Sequence, residues 1–215
     1  MRSEPVLRVI RAYDDWIVRG YCWGRFWILR QRFLDEIGQY LPERGQVLDL
    51  GCGFGLFSLY YASVLPGVRF RGIDSNPRRI AMAEAAARRL GLANVRYEVG
   101  DVLDFRGGER FDAAYMLDIV HHISADAVRP LLEQVAKVLP TGGLLLIKDV
   151  DRTPAYKRWF TLALDKVMDP GTPVHYWGSE ALAALLGETG FAVRRHLMVD
   201  VLPYPHILYI CERRP

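Results

Sequence analysis

Apolar runs and helical stripes alternate along residues 46–150 of the chain. The short apolar runs, as in residues 47–50 and 144–150, have the length of buried strands, whereas the apolar positions within residues 77–90 recur at the spacing of one helix face. Such alternation is typical of βαβ units, whose helices cover both faces of a parallel sheet. The sequence therefore predicts an α/β fold with a Rossmann-like, doubly wound sheet.

After residue 150 this alternation becomes looser. Residues 151–178 include a turn-rich stretch, and we predict that they form an insertion over the ligand crevice. Ser179 is then predicted to cap a helix that runs to Thr189, and residues 192–201 and 207–211 alternate apolar and polar side chains as two further strands. No repeat or low-complexity segment interrupts the chain, so residues 46–215 are predicted to form one domain.

Residues 47–55 are the most informative stretch and read Val-Leu-Asp-Leu-Gly-Cys-Gly-Phe-Gly. Glycines at alternate positions let the backbone turn sharply after a strand, and they let a ligand approach backbone atoms closely. A dinucleotide pyrophosphate is usually held by Gly-x-Gly-x-x-Gly at a helix N-terminus, but Leu56 stands where the third of those glycines belongs. The loop therefore predicts a nucleoside ligand without that pyrophosphate, for which S-adenosylmethionine is the obvious candidate.

Acidic residues follow the next two predicted strands. Asp74 comes directly after residues 68–73, and a carboxylate at this place can accept hydrogen bonds from both hydroxyls of a ribose. Asp101 and Val102 follow residues 95–99, where an acidic side chain and a backbone amide could recognise an adenine edge. Because ligands of such sheets bind outside the carboxyl ends of the strands, these residues are expected beside one crevice.

Taken together, these residues resemble the class I S-adenosylmethionine-dependent methyltransferase family, in its small-molecule type, from about Val47 to the C-terminus. The resemblance implies S-adenosylmethionine as the cofactor and a mostly parallel sheet with an antiparallel C-terminal strand. It implies in-line methyl transfer to an oxygen, nitrogen or carbon of a small, apolar or aromatic metabolite or lipid. The alternative hypotheses are an RNA methyltransferase, a nicotinamide-dependent oxidoreductase, or a protein that binds the cofactor without turnover.

The resemblance also implies a set of cofactor contacts. The loop glycines would line the methionine part, Asp49 would orient its amino group, and Asp74 would hold the ribose. Ser75 departs from the family pattern, in which an apolar residue commonly packs against the adenine ring. The implied cofactor-binding residues are Asp49, Gly51, Gly53, Gly55, Asp74, Ser75, Asp101, Val102 and Leu117.

Few catalytic side chains are needed for this reaction, since the departing thioether needs no acid and alignment of the two partners lowers the barrier. A base helps when the acceptor carries a proton. His121 and His122, which follow the predicted strand 111–117, are the candidates because imidazole titrates near neutral pH. Asp118 is the third candidate, either binding substrate or orienting a histidine. The structural alternatives are helix capping or packing by the histidines and closure of the strand end by Asp118.

Residues 1–45 precede the first strand, are dense in aromatic side chains, and are predicted to form a helical lid over the cofactor. Aromatic walls favour apolar or planar substrates, although simple packing is the alternative for each ring. Arginines accompany the N-terminal rings, so peripheral contact with an anionic lipid surface is a further hypothesis. The candidate substrate contacts are Trp16 and Tyr21 in the lid, and Tyr176 and Trp177 in the insertion.

Composition and charge limit the classes of partner. A net charge of +3 over 215 residues lacks the basic signature of a general nucleic-acid binder, so DNA is excluded and RNA is disfavoured. The Asn-Pro-Pro-Tyr type motif of adenine amino-group methylation is replaced by residues 118–121. The three cysteines also lie outside the Pro-Cys context that cytosine C5 chemistry requires. A small-molecule or lipid substrate is therefore expected.

The same three cysteines are too few and too scattered for a disulfide framework or a thiolate metal site, which indicates a reducing cytoplasm. Charged residues interrupt the apolar runs near the N-terminus, so we expect neither a signal peptide nor a membrane span.

Asp118, Asp149 and Asp151 could form an oxygen-rich Mg²⁺ site. Acidic residues are common at strand ends around such crevices, so no metal is predicted.

Overall fold

A computed structural model describes residues 3–150, 175–198 and 206–215. The chain divides into two compact units, each described here by itself. The first unit contains residues 1–105 and 111–115, and the second contains residues 106–110 and 116–215. For residues 154–168, within the insertion, the sequence predicts a helix. This helix and most of the predicted insertion lie outside the described residues.

The first unit contains four helices and three complete strands among the described residues. They are α1 (Glu4–Arg11), α2 (Trp16–Gly38), β1 (Gly45–Leu50), α3 (Leu56–Val64), β2 (Val68–Asp74), α4 (Pro77–Leu90) and β3 (Val95–Val99). The strand β4 (Ala113–Leu117) has its first three residues in this unit and its last two in the second. The remaining described elements of the second unit are a 3-10 helix (Val120–His122), α5 (Ala125–Val138), β5 (Leu144–Val150), α6 (Ser179–Glu188), β6 (Phe191–Leu197) and β7 (His206–Arg213).

Hydrogen bonds order the seven strands as β3-β2-β1-β4-β5-β7-β6. β1 pairs in parallel with both β2 and β4, and β2 pairs in parallel with β3. β7 runs antiparallel to β5 and to β6. The predicted Rossmann-like sheet, mostly parallel with an antiparallel C-terminal strand, is therefore confirmed.

Local sequence signals explain where the helix after β2 begins and ends. The side chain of Asn76 accepts hydrogen bonds from the amides of Arg78 and Arg79, so it caps α4, and Pro77 occupies the first turn, where its missing N–H costs nothing. Gly91 ends the helix in the left-handed conformation, at φ 67°. These are the signals from which the sequence predicts this helix.

Two predicted boundaries need correction. β4 begins at Ala113 and not at residue 111. α6 begins at Ser179 with Gly178 at its N-cap position, so the predicted cap at Ser179 is wrong. α5 begins at Ala125, as the sequence predicts, and includes Pro130 without the late start that this proline allows. Among the residues that the structure describes, no helix is both long enough and apolar enough to cross a membrane.

Gly72 in β2 makes room for the ring of Tyr97, its register partner in β3. A Cβ at Gly72 would lie 2.7 Å from a ring carbon of Tyr97 and 2.9 Å from the sulfur of Cys52. Both distances are far below van der Waals contact, so the absent side chain is a packing requirement. The hydroxyl of Tyr97 donates to the carbonyl of Gly55 at 3.3 Å, so this packing also fixes a contact behind the glycine loop.

We expect Gly72→Ala to lower the free energy of unfolding by about 1–3 kcal/mol, because the added methyl group overpacks the space against Tyr97. Urea denaturation measures this change. Gly108→Ala is the matched control, since a Cβ at Gly108 has no neighbour within 4 Å. Equal stability of the two variants would contradict the packing argument.

Candidate cofactor and acceptor sites

The glycine loop connects β1 to α3 and has a left-handed backbone at alternate positions. Gly51, Gly53 and Gly55 have φ values of 75°, 56° and 77°, a region that side chains disfavour. A Cβ at Gly55 would also lie 2.5 Å from the hydroxyl of Tyr97 and 2.9 Å from Ala83. The alternating glycines therefore follow from the backbone path and, at Gly55, from close packing.

The loop is fastened to the end of β2 by backbone and side-chain hydrogen bonds. The amides of Gly51 and Cys52 both donate to the carbonyl of Ile73, at 2.8 and 3.0 Å. The amide of Gly53 donates to Oδ2 of Asp74 at 2.8 Å. Asp74 therefore positions the middle of the loop as well as ending the strand.

The surroundings of Asp74 and Gly53 fit a nucleoside ligand. Oδ1 of Asp74 accepts from the amide of Asn76 at 3.0 Å, so each carboxylate oxygen has one backbone donor. A carboxylate offers about four acceptor positions, which leaves two for a pair of ribose hydroxyls. A Cβ at Gly53 would meet no atom within 4 Å, so a ligand can approach the loop backbone there.

The residues assigned to adenine differ in exposure. Ser75 is exposed, in keeping with its departure from an apolar adenine contact. Asp101 is exposed, and its carboxylate accepts from the amide of Leu103 at 2.9 Å, where it caps a short 3-10 helix. Val102 is buried. The adenine assignments for Ser75, Asp101 and Val102 stay predictions.

Asp49 lies in the interior of the first unit, with only 2% of its surface exposed. It is the register partner of Tyr115, whose hydroxyl donates to its carboxylate at 3.0 Å. Burial raises the pKa of Asp49 to about 7, while the Tyr115 hydroxyl opposes that increase. Its role in orienting the methionine amino group stays a prediction.

Sequence reasoning missed a group of hydroxyls behind the glycine loop. The hydroxyls of Ser58 and Tyr97 lie 3.1 Å apart, and each also donates to the carbonyl of Gly55, at 3.3 Å. These contacts satisfy a carbonyl at the start of α3. The register of β2 with β3 brings Tyr97 to this place, and a single sequence does not reveal that register.

The N-terminal helices contact the glycine loop through its aromatic residue. The hydroxyl of Tyr13 donates to the carbonyl of Phe54 at 2.8 Å, and the rings of Tyr21 and Phe54 lie 5.6 Å apart between centroids. Trp16 is mostly exposed. The structure therefore brings Tyr21, but not an enclosed Trp16, beside the loop that would hold the cofactor.

In the second unit, Asp118 follows β4 with a left-handed backbone, at φ 60°. Its carboxylate pairs with the ammonium group of Lys148 at 2.5 Å, and its amide donates to the Lys148 carbonyl at 2.8 Å. Lys148 is fully buried, so its charge needs this partner. The pairing favours the strand-closing role of Asp118 over direct catalysis.

The two histidines have different surroundings. His121 is buried, and Asp149 accepts its backbone N–H at 3.0 Å and also bonds its ring Nδ1. The Tyr176 ring is stacked on the His121 ring, with centroids 5.8 Å apart. His122 is only partly buried, and its ring centroid lies 4.1 Å from that of His121. The structure therefore groups His122, Tyr176 and Asp149 around His121.

The other two candidates in the second unit are Trp177 and Leu117. Trp177 lines a groove of about 380 Å³ between α5 and α6. The substrate role of Trp177 stays a prediction. Leu117 is buried at the end of β4.

Across the described residues, no group of three or more His, Cys, Asp or Glu side chains could hold a metal ion.

The fold and the glycine loop define a Rossmann-like α/β protein with a nucleoside-binding strand end. Residues 47–143 match the family model described as a methyltransferase domain. This match supports a class I S-adenosylmethionine-dependent methyltransferase, with S-adenosylmethionine as the cofactor. The predicted family and cofactor are thus confirmed.

Similar proteins support the same family. The ubiquinone biosynthesis O-methyltransferase of Cereibacter sphaeroides is 35% identical over 121 residues, which cover 55% of this chain and 47% of that protein. The (S)-coclaurine N-methyltransferase of Papaver somniferum is 30% identical over 117 residues, covering 54% and 33% of the two chains. An O-methyltransferase family protein from Burkholderia thailandensis has the same fold, with a TM-score of 0.71, 23% identity, and coverage of 86% of this chain and 56% of that chain. The matches thus span a third to about a half of the two curated relatives.

The raised pKa of Asp49 has a testable effect on stability. The folded protein holds a proton on Asp49 up to about pH 7, whereas an unfolded aspartate releases it near pH 4. The free energy of unfolding should therefore fall as the pH rises from about 4 to about 7. Asp49→Asn has no carboxyl at this position and does not lose this stability. The free energy of unfolding of the variant, relative to that of the natural protein, should therefore increase by about 2–4 kcal/mol between about pH 4 and pH 7.

Urea denaturation at a series of pH values measures this difference. Gly108→Ala is a neutral substitution in open space, and its difference from the natural protein should stay constant with pH. Parallel stability curves for Asp49→Asn and the natural protein would refute a perturbed carboxyl at this position.

Proposed function

We propose that this chain transfers a methyl group from S-adenosylmethionine to an oxygen or nitrogen of a small, apolar or aromatic molecule. The observation that carries the proposal is the hydrogen bond from the Gly53 amide to Asp74, which presents an open glycine backbone beside a carboxylate with unused acceptor positions. The names of the two curated relatives, an O-methyltransferase and an N-methyltransferase, support small-molecule acceptors.

The first unit supplies the donor side in this proposal. Asp74 accepts hydrogen bonds from the ribose hydroxyls, and the backbone of Gly51 and Gly53 lies against the methionine part. When bound, S-adenosylmethionine supplies an electrophilic methyl group on a sulfonium sulfur. Asp49 acts from behind the loop, where a negative charge favours the ammonium group of the methionine part.

The second unit supplies the acceptor side, and we assign the two histidines different roles. An ionised carboxylate only accepts hydrogen bonds, so the Nδ1 of His121 carries the proton that faces Asp149. That contact and the stacked Tyr176 ring hold His121 as a positioning residue. His122 is less buried, so an acceptor can reach its ring more readily. His122 is therefore the proposed base, which takes the proton of an acceptor hydroxyl or ammonium group.

Alignment provides most of the rate enhancement in this scheme. Asp74, Gly51 and Gly53 would hold the methyl donor in line with the acceptor lone pair, and His122 would take the proton that the acceptor loses. Positioning of two reactants can lower a barrier by roughly 7–11 kcal/mol, whereas a base adds about a hundredfold to ten-thousandfold. A variant without the base should therefore retain some activity.

We also propose that the N-terminal helices act as a lid beside the cofactor. The contacts of Tyr13 and Tyr21 with Phe54 support this role, because Phe54 stands between the second and third glycines of the loop. The guanidinium group of Arg79 in α4 also lies over the ring of Phe54, 5.6 Å from its centroid. Movement of Phe54 would thus be coupled to Tyr13, to Tyr21 in α2 and to α4.

Asp74→Asn should weaken the binding of S-adenosylmethionine by about ten- to a hundredfold, because hydrogen bonds to a charged group are lost. Isothermal titration calorimetry measures this affinity. Asp35→Asn is the matched control, since Asp35 is exposed in the same unit. Undiminished affinity in Asp74→Asn would remove Asp74 from the ribose role.

His122→Gln should lower kcat by about a hundredfold to ten-thousandfold while the affinity for S-adenosylmethionine is unchanged. The same substitution at His196, an exposed residue of β6, should leave kcat unchanged. A pH profile separates the roles, because loss of the base removes the acidic limb of the profile. If His122→Gln retains full activity with an acceptor that carries a proton, His122 is not the base.

The acceptor class can be tested without knowing the acceptor. Cell extract is incubated with the protein and S-adenosylmethionine labelled in its methyl group, and the extract is then separated into small molecules, lipids, RNA and protein. We expect label in the small-molecule or lipid fraction. Label in RNA would favour the alternative methyltransferase class, and tight cofactor binding without label in any fraction would favour a protein without turnover.

A further inference from the structure

The helix α2 presents three tryptophans on one outward face. Trp16, Trp23 and Trp27 are separated by seven and four residues, a spacing that places side chains on the same side of a helix. Their exposed fractions are 79%, 52% and 47%, and the neighbouring Ile17 is 63% exposed. We call these four residues the tryptophan face. Large apolar side chains are usually buried in a folded protein.

The opposite side of α2 already supplies the contacts that hold the helix. Val18, Cys22, Phe26 and Leu29 are buried there. The ring of Phe26 lies 6.5 Å from that of Phe57 in α3 and 6.3 Å from that of Tyr60. The tryptophan face is therefore not the packing face of the helix, and its exposure calls for another explanation.

Glycines leave the tryptophan face open to close approach. A Cβ at Gly20 or at Gly24 would meet no atom within 4 Å. The regular helix extends to Leu29, and Arg30 then has non-helical backbone angles, φ 52° and ψ 170°. The face is thus about three turns long and is bounded at one end by a change in chain direction.

Within the helical segment that carries the tryptophan face, the charged side chains are all positive. Residues 16–34 contain four arginines and no aspartate or glutamate. Arg19, Arg30 and Arg32 are exposed. The nearest acidic residues before the helix have arginine neighbours, since Asp14 pairs with Arg89 and Asp15 lies 3.9 Å from Arg78.

We propose that the tryptophan face and its flanking arginines bind the surface of an anionic lipid bilayer. Tryptophan is favoured at the boundary between headgroups and acyl chains, and arginine is attracted to anionic headgroups. A second copy of the chain is a poor partner, because it would bring the same positive charge against this face. The helix would lie in the plane of the interface, with its buried side still packed on α3.

The inference goes beyond the proposed function and does not depend on it, because vesicle binding needs neither a donor nor an acceptor. The full chain is sedimented with vesicles of phosphatidylcholine alone and with vesicles that also contain phosphatidylglycerol. Binding is expected to the mixed vesicles, weakening as salt is added. The emission of exposed tryptophans should shift to shorter wavelength in the bound state.

Two sets of variants identify the surface. Trp23→Gln with Trp27→Gln should weaken binding to the mixed vesicles on the order of tenfold or more. Arg30→Gln with Arg32→Gln should weaken it about fivefold for each arginine. Leu197→Gln replaces a similarly exposed apolar residue in β6, and Arg69→Gln with Arg106→Gln replaces two other exposed arginines, so these controls should bind like the natural protein.

Circular dichroism and S-adenosylmethionine affinity show whether each variant is folded. The proposal is overturned if the folded natural protein does not bind mixed vesicles at low salt, or if the tryptophan pair binds as well as the controls. It is equally overturned if light scattering shows a dimer that the tryptophan substitutions dissociate, because the face would then be an interface between copies.

Discussion

The hydrogen bond between the Gly53 amide and the Asp74 carboxylate is the constraint on which the donor site depends. It joins a loop with little intrinsic stiffness to the end of a strand, and the carbonyl of Ile73 adds two further backbone contacts. One carboxylate thereby fixes the protein backbone and keeps acceptor positions for a ligand. The cost of ordering the glycines is met during folding, so it does not weaken binding later.

Buried ionisable groups have different kinds of partner in the two units. In the second unit two buried charged groups have partners of complementary charge, since Lys148 pairs with Asp118 and Asp149 with His121. In the first unit the carboxyl of Asp49 accepts a hydrogen bond from the uncharged Tyr115 hydroxyl, and burial raises its pKa to about 7. Paired groups are suited to holding a geometry. A carboxyl that titrates near neutral pH is suited to responding to a cationic ligand.

The sequence predicts much of the fold because its signals are local. The strand that ends at Asp74, the cap at Asn76 and the stop at Gly91 each depend on neighbouring residues, and all agree with the structure. The contacts of the site depend on register and burial, which single residues do not encode. Tyr97 reaches Gly55 only through the pairing of β2 with β3, and nothing local distinguishes the buried His121 from the more accessible His122.

The helix α2 depends both on local sequence signals and on burial that only the structure shows. Its apolar residues are too numerous for a single buried stripe, which explains why the sequence alone allows a lid, simple packing and a lipid contact. The structure separates these by face, because Phe26 is buried while Trp23 and Trp27 are exposed. Tyr21 beside Phe54 links the helix to the glycine loop. A bilayer bound to the outer face would therefore act on the same helix that contacts the cofactor loop, and an acceptor dissolved in that bilayer would be concentrated near the unit that binds the donor.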